Sequence, residues 1–249
     1  MVLHSRNAIA AALLIASSAT AFQFGWWVPA AGSGGTLPQL DALELSWDGT
    51  TNGVGQAIDL SGNSRVGTLS GATINSTGGP NGDPCFDHGT VAANKVVNSP
   101  EFQIPNAYTD NHTMSCWIKP SSVGNNWVVN TGGAGNGTSL TIWSSVITFF
   151  YQGGNFIQQS DTTISAGSWI HIAFSYDGSA KTVQIYLNGV PDGSAKSVGA
   201  TMWVTGGIVT LGAWYNLTYD YLGLTDNLHV WSTNLTDSEM LEVYNLEKP

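Results

Sequence analysis

Apolar side chains recur at every second position in one segment after another of this 249-residue chain. Leu43, Leu45 and Trp47 alternate with polar neighbours. So do Met114, Cys116 and Ile118, then Ile170, Ile172, Phe174 and Tyr176, then Val183, Ile185 and Leu187, and last Leu228 and Val230. A period of two puts each set on one face of a strand. Turn residues punctuate the runs: Asp48-Gly49, Asp59-Leu60-Ser61-Gly62-Asn63, Asp177-Gly178 and Asn188-Gly189 either tolerate positive φ or bond their own backbone. Pro120 ends the strand that begins at Thr113. One short helix is predicted near the C-terminus, where Thr236 and Glu239 form a capping box ahead of Met240, Leu241, Val243 and Tyr244. No helical stretch is long enough for a parallel crossover. The predicted fold is therefore all-β: two antiparallel sheets packed face to face, closed by one C-terminal helix. No internal repeat indicates a propeller or solenoid.

Three regions follow. Residues 1–21 read as an export signal, with His4 and Arg6 before the apolar run Ala8–Ala16, and Ala19-Thr20-Ala21 as the small-x-small cleavage pattern. The run is shorter than the ~20 residues that cross a bilayer core. The alternative is an uncleaved arm packed into a larger assembly. Residues 22–38 are aromatic, then rich in Ala, Gly and Ser, and suit an arm; residues 39–249 form the domain. Export makes Cys85 and Cys116 a possible disulfide, yet Cys116 also fits as a buried apolar residue in its strand, and spacing leaves both open. Asn75, Asn111, Asn136, Asn216 and Asn234 each begin an Asn-x-Ser/Thr sequon. With 19 Asn and a Ser/Thr-rich chain, about four arise by composition alone. Seven Lys+Arg against 17 Asp+Glu give a net charge of −10, which repels phosphate backbones and argues against nucleic-acid partners.

The ordered set of segments resembles the laminin-G-like, concanavalin A-like lectin/glucanase jelly-roll domains. The landmarks are Asp59-Leu60-Ser61-Gly62-Asn63 with Val66-Gly67-Thr68-Leu69, Phe86-Asp87, Ser115-Cys116-Trp117-Ile118-Lys119-Pro120, Trp169-Ile170-His171-Ile172, Tyr176-Asp177-Gly178, Tyr186-Leu187-Asn188-Gly189, and Gly223-Leu224-Thr225-Asp226-Asn227-Leu228. The chain has Phe86-Asp87-His88-Gly89 where the family often has Phe-Asp-Gly. The resemblance implies a jelly-roll sandwich that serves as a glycan or protein binding module or, in one branch, as a glycoside hydrolase. It also implies a structural Ca²⁺ tying the first strand to the last, with Asp226 at the family's Asp before the last strand. Trp117 and Trp169 fall on framework positions.

Hydrolysis needs two carboxylates about 5 to 9 Å apart in one cleft. None of Glu44, Glu101, Glu239, Glu242 or Glu247 begins the Glu-x-Asp-x-Glu strand of that branch, and no Gly-x-Ser-x-Gly elbow, His-Glu-x-x-His helix or phosphate loop occurs. His171 reads as structural or surface. For a metal, Asp48, Asp59 and Asp226 are short carboxylates at turns or strand ends, where a hard cation finds carboxylate and backbone oxygens; the alternative is that Asp48 and Asp59 only cap their turns. For a ligand, Trp127, Trp143, Tyr151, Trp214 and Tyr215 lie near Asn residues in stretches that read as loop-rich, and a sugar's apolar face stacks on such rings; the alternative is core packing. The expected function is an exported, non-catalytic module binding a glycan or surface protein. A structural or decoration subunit of a virion or extracellular assembly is one alternative, and a hydrolase with a displaced carboxylate pair is another.

Overall fold

The alternating segments do form strands, in a computed structural model that describes residues 35–90, 96–99, 111–133, 136–151, 156–198, 208–214 and 216–249. The expected signal segment, residues 22–34 of the arm, Glu101 and Tyr215 lie outside the described residues. In chain order the strands are β1 (Leu43–Trp47), β2 (Gln56–Ala57), β3 (Gly67–Ser70), β4 (Thr73–Asn75), β5 (Cys85–Asp87), β6 (Val96–Ser99), β7 (His112–Pro120), β8 (Asn126–Gly133) and β9 (Asn136–Trp143). They continue as β10 (Val146–Tyr151), β11 (Phe156–Thr163), β12 (Ile170–Asp177), β13 (Thr182–Leu187), β14 (Val190–Pro191), β15 (Lys196–Ser197), β16 (Val209–Leu211) and β17 (Gly223–Trp231), before helix α1 (Asp237–Glu247).

Two antiparallel sheets result. One runs β14-β13-β12-β7-β17-β5-β4, with β1 also on β17 and β15 on β13; the other runs β11-β10-β9-β8-β16-β6-β3-β2. Consecutive strands pair in β12 to β14 and in β8 to β11, while β12-β7, β7-β17, β17-β5, β8-β16 and β16-β6 join strands far apart in sequence, as in a jelly roll. The core between the sheets takes the predicted faces, including Leu45, Trp47, Met114, Ile118, Ile172 and Phe174. From the opposite sheet come Leu140, Ile142, Ile147, Phe149 and Tyr151. Phe149 and Phe174 meet edge to face across the sandwich at 4.7 Å, the geometry aromatic quadrupoles favour. Each such ring, fully buried, contributes roughly 1.5 to 3 kcal/mol.

The turns obey their residues. Asn188 (φ 51) and Gly189 (φ 75) are both left-handed, which a two-residue hairpin between right-twisted strands requires. The β12–β13 turn is longer than Asp177-Gly178 alone: Asp177 Oδ1 accepts from Ser179 N and Ala180 N, each at 2.8 Å, and Lys181 is left-handed. At the α1 N-terminus, Thr236 and Glu239 form both halves of the capping box. The helix packs Met240 and Val243 on the outer face of the first sheet, against Ala173, Tyr186 and Trp231. Edge strand β11 does not present a bare row of backbone donors, because Asp192 Oδ2 accepts from Asp161 N and Thr162 N (2.9 Å for the latter) and Lys196 Nζ donates to Gln159 O.

One stretch differs from expectation. The region holding Trp127, Trp143 and Tyr151 is a four-strand meander, β8 to β11, rather than loops. Cys85 and Cys116 are both buried free thiols. Burial pushes the Cys85 thiol up to about 12 and raises Cys116 well above the ordinary thiol range, so both are protonated and unreactive. Among the described residues no helix is long and apolar enough to cross a membrane.

Candidate functional site

In the meander, Leu140 and Ile142 of β9 and Ile147 and Phe149 of β10 face the core. Alternation therefore turns Thr141, Trp143, Thr148 and Phe150 outward. Trp127 pairs directly with Thr141 and shares that outer face; the register shift between Trp127 and Val129 lets Val128 and Val129 both enter the core behind it. The segment between β16 and β17 folds over the same end of the sheet. Its chain bends through Gly212 (φ 102), Trp214 N donates to Thr218 O at 3.0 Å, and Trp127 N donates to Tyr219 O at 2.9 Å.

These two pieces of backbone assemble an aromatic cluster around Trp127. Its ring lies 4.9 Å from Tyr219, 5.7 Å from Trp214, 5.7 Å from Phe150 and 6.2 Å from Trp143. Trp127 is nearly buried, whereas Trp143 is 37% and Tyr219 51% exposed. The buried Trp127 Nε1–H meets no acceptor. An unpaired buried donor of this kind costs about 1 to 3 kcal/mol. Leu217 (φ 62) and Tyr219 (φ 56) are left-handed, an unusual backbone for bulky side chains, so the loop presents these rings at a conformational cost.

Three of the five expected ligand aromatics thus come together: Trp127, Trp143 and Trp214. Tyr151 is not at the surface; it is 2% exposed and belongs to the main core, continuing the Ile147–Phe149 alternation. Tyr219 and Phe150 join the cluster without having been singled out. Phe150 was readable from its offset to Phe149. Tyr219 was hidden because nothing in its local pattern shows that the loop folds back.

The acidic residues divide differently. Asp59 is a turn clamp: Oδ1 accepts from Ser46 N and Ser61 N at 3.0 Å each, and Oδ2 from Arg65 N at 2.9 Å. Three backbone amides engage its carboxylate, the turn-capping role given as the alternative to a metal. Asp48 Oδ1 holds Thr50 N and Thr50 Oγ1 at 3.0 and 2.7 Å. Asp226 is fully buried on β17; Oδ1 accepts from Asn227 N at 2.9 Å, and Oδ2 has no partner. Asp83 Oδ1 is also buried without a partner. Burial first, and then the Asp83 charge, raise the Asp226 carboxyl well above the ordinary range; burial raises Asp83 too, with Asp48 adding to both. A Cβ placed on Gly79 would fall 3.0 Å from Asp226 Oδ2 and would overlap Asp83 Oδ1, so only a bare glycine lets the Asp83 carboxylate sit here beside Asp226. Among the described residues no three His, Cys, Asp or Glu side chains converge as metal ligands. What the fold brings together is the pair Asp83 and Asp226 with Asp48 nearby.

The glutamates are engaged elsewhere. Glu44 pairs with Arg65 at 2.6 Å, and Glu239 caps α1. Glu247 accepts from Trp117 Nε1 at 2.9 Å and meets His229 Nε2 at 2.6 Å. Trp169 donates to Gly78 O at 3.2 Å, in keeping with the framework role expected of it and Trp117. His171 is buried beneath α1, with neither ring nitrogen partnered. Burial, reinforced by His229, lowers it to about 3.

Residues 91–240 match the family model described as the concanavalin A-like lectin/glucanases superfamily. The chain belongs to that superfamily. Among solved structures, the binding domain of Paraclostridial Mosquitocidal Protein 1 is similar with a TM-score of 0.64 and 17% identity over 84% of this chain and 56% of that one. The receptor binding domain of botulinum neurotoxin D has a TM-score of 0.65 and 16% identity over 82% and 52%. This chain therefore spans about half the length of those toxin domains. Domain 4 of AbnA, a GH43 extracellular arabinanase from Geobacillus stearothermophilus in complex with arabinotriose, has a TM-score of 0.62 and 22% identity over 82% of this chain and 98% of that domain. No curated protein sequence matches the chain. These likenesses show the sandwich fold.

Proposed function

We propose that this domain is an exported, non-catalytic binding module that takes a neutral glycan on the Trp127 cluster and holds a structural divalent cation between Asp83 and Asp226. The observation that carries the first half is the cluster itself: exposed Trp143 and Tyr219 rings around a buried indole whose N–H meets no acceptor. Apolar ring faces such as those of exposed Trp143 and Tyr219 suit the axial C–H face of a sugar. The arabinanase domain solved with arabinotriose, covered over nearly its full length, supports this class of ligand.

The cation reading rests on the orphaned oxygens of Asp83 and Asp226, which lie close together beside Gly79. Carboxylate oxygens suit a hard ion such as Ca²⁺, which supplies the positive charge those buried groups lack. Here it would join β17 to the 79–83 turn and neutralise a buried acidic pair. A hydrolase reading is less well supported, because Asp226 is sealed from solvent and the described glutamates other than exposed Glu242 are held by structural partners. A glycan array probed with the purified chain, with and without chelator, tests both halves. Binding of neutral sugars by the untreated chain is the expected result; failure to bind any sugar moves the weight to a protein partner or an assembly role.

A further inference from the structure

The fold treats the five sequons unequally. Asn111 Nδ2 donates to Asn234 Oδ1 at 2.6 Å, and Asn111 Oδ1 accepts from Gly178 N at 2.8 Å, so these two amides hold each other and a turn. Asn75 is half-buried on β4, with its amide packed against Gly78. The side chain of Asn136 lies outside the described set. Asn216 is exposed at the tip of the 214–218 turn.

That turn has a particular form. Leu217 N donates to Trp214 O at 2.8 Å, Trp214 N donates to Thr218 O at 3.0 Å, and Leu217 is left-handed at φ 62. The left-handed residue between Asn and Thr bends the chain so that the Thr218 hydroxyl reaches Asn216 Oδ1 at 2.6 Å, with Thr218 N at 3.2 Å. The amide oxygen is thereby fixed, and Nδ2 meets no acceptor among the described residues. Aromatic side chains stand two residues before and three after, at Trp214 and Tyr219.

We propose that Asn216 is an N-glycan acceptor, the one sequon among those described whose Asn is exposed and whose amide oxygen is held by its own Thr, with Trp214 and Tyr219 close by along the chain. The donor is a polyprenyl-diphosphate-linked oligosaccharide. Asn216 Nδ2 bonds to C1 of the terminal sugar, the C1–O bond to the diphosphate breaks, the polyprenyl diphosphate leaves with the electron pair, and one amide proton is lost to solvent. No redox change occurs. Transfer takes place as the chain enters a lumen, and the fold then decides which acceptors tolerate a bulky substituent. A glycan on Asn216 adds at a solvent-facing nitrogen; one on Asn111 or Asn234 intrudes on the bond between them. For the natural chain the assignment rests on the export reading of residues 1–21; because Trp214 and Tyr219 also belong to the Trp127 cluster, a glycan on Asn216 is carried within three residues of the proposed ligand surface.

The test expresses the full chain in a eukaryotic secretory cell in two forms, with its own N-terminus and behind a heterologous signal sequence. Protein from the lumen or medium is treated with peptide N-glycosidase in heavy-oxygen water and mapped by mass spectrometry. Most lumenal molecules are expected to carry heavy aspartate at position 216, a mark lost in N216Q and T218A and kept in T218S. Bare Asn216 in the lumen-delivered chain overturns the proposal, whether or not other sequons are occupied. Modification only behind the heterologous signal upholds the acceptor and removes the export reading instead.

Discussion

Substituting Asp226 by Asn separates a cation site from a merely buried acid. In chelator, the native domain carries two carboxylates whose oxygens Asp83 Oδ1 and Asp226 Oδ2 lack partners. Removing one charge then costs little and is expected to stabilise by about 1 to 3 kcal/mol, the range for relieving an unsatisfied buried polar group. With Ca²⁺ at about a hundred times its dissociation constant, linkage adds about 2.7 kcal/mol to the native chain. For a domain of this size that raises Tm by about 5 to 10 °C. Asp226→Asn is expected to lose most of that rise. So is Gly79→Ala, because the new Cβ would overlap Asp83 Oδ1 and push its carboxylate from its place beside Asp226. Thermal unfolding followed by circular dichroism, with chelator and then with Ca²⁺, reads all three proteins. A native Tm indifferent to Ca²⁺, or variants that respond as fully as the native chain, refutes the cation reading.

The other outcomes concern the clamps and the buried histidine. Asp59→Ala leaves the amides of Ser46, Ser61 and Arg65 without their acceptor and is expected to cost about 3 kcal/mol in urea unfolding, while the Ca²⁺-induced shift stays native; a lost shift would place Asp59 in the metal set. His171 is lowered from 6.5 to about 3, so the unfolded chain binds the extra proton first as the solution is acidified. Its contribution to stability is complete above 6.5 and is lost as pH falls toward 3, by about 2.7 kcal/mol two units below 6.5. Asp226 and Asp83, raised by burial, act in the opposite sense: in chelator they favour the folded state as pH falls. His171→Leu is expected to flatten the acid loss in urea titrations across that window; an unchanged slope assigns it to other groups.

Much of the sandwich was legible because β1, β7, β12, β13 and β17 keep a clean alternation, with apolar side chains toward the core. The outer face of β7 and β12 also carries Trp117, Ser115 and His171, buried beneath α1, and the capping box foretold that helix. The β8–β11 meander was harder to see. Its outward positions are Asn130, Ser139, Thr141 and Thr148, and with Gly132, Gly133 and Gly137 between them they imitate a loop composition. Tyr151 could have been assigned to the core by counting back in twos through Phe149 to Ile147. Asp83 sits in Gly79-Pro80-Asn81-Gly82-Asp83-Pro84, a run that announces a turn but not that the turn meets β17. The same limit hid Tyr219, since contacts between segments distant in sequence have no local signature.

The Trp127 cluster is the proposed ligand surface. Its most direct measurement follows the indole N–H resonances of isotope-labelled protein during titration with neutral oligosaccharides, arabinotriose among them, beside Tyr219→Ala and Trp143→Ala. The account predicts saturable shifts of the Trp127, Trp143 and Trp214 signals, and about fivefold weaker binding for each ring removed, the equivalent of about 1 kcal/mol. Saturable sugar binding that leaves those three signals unmoved, or an array and titration in which no neutral sugar binds, contradicts it.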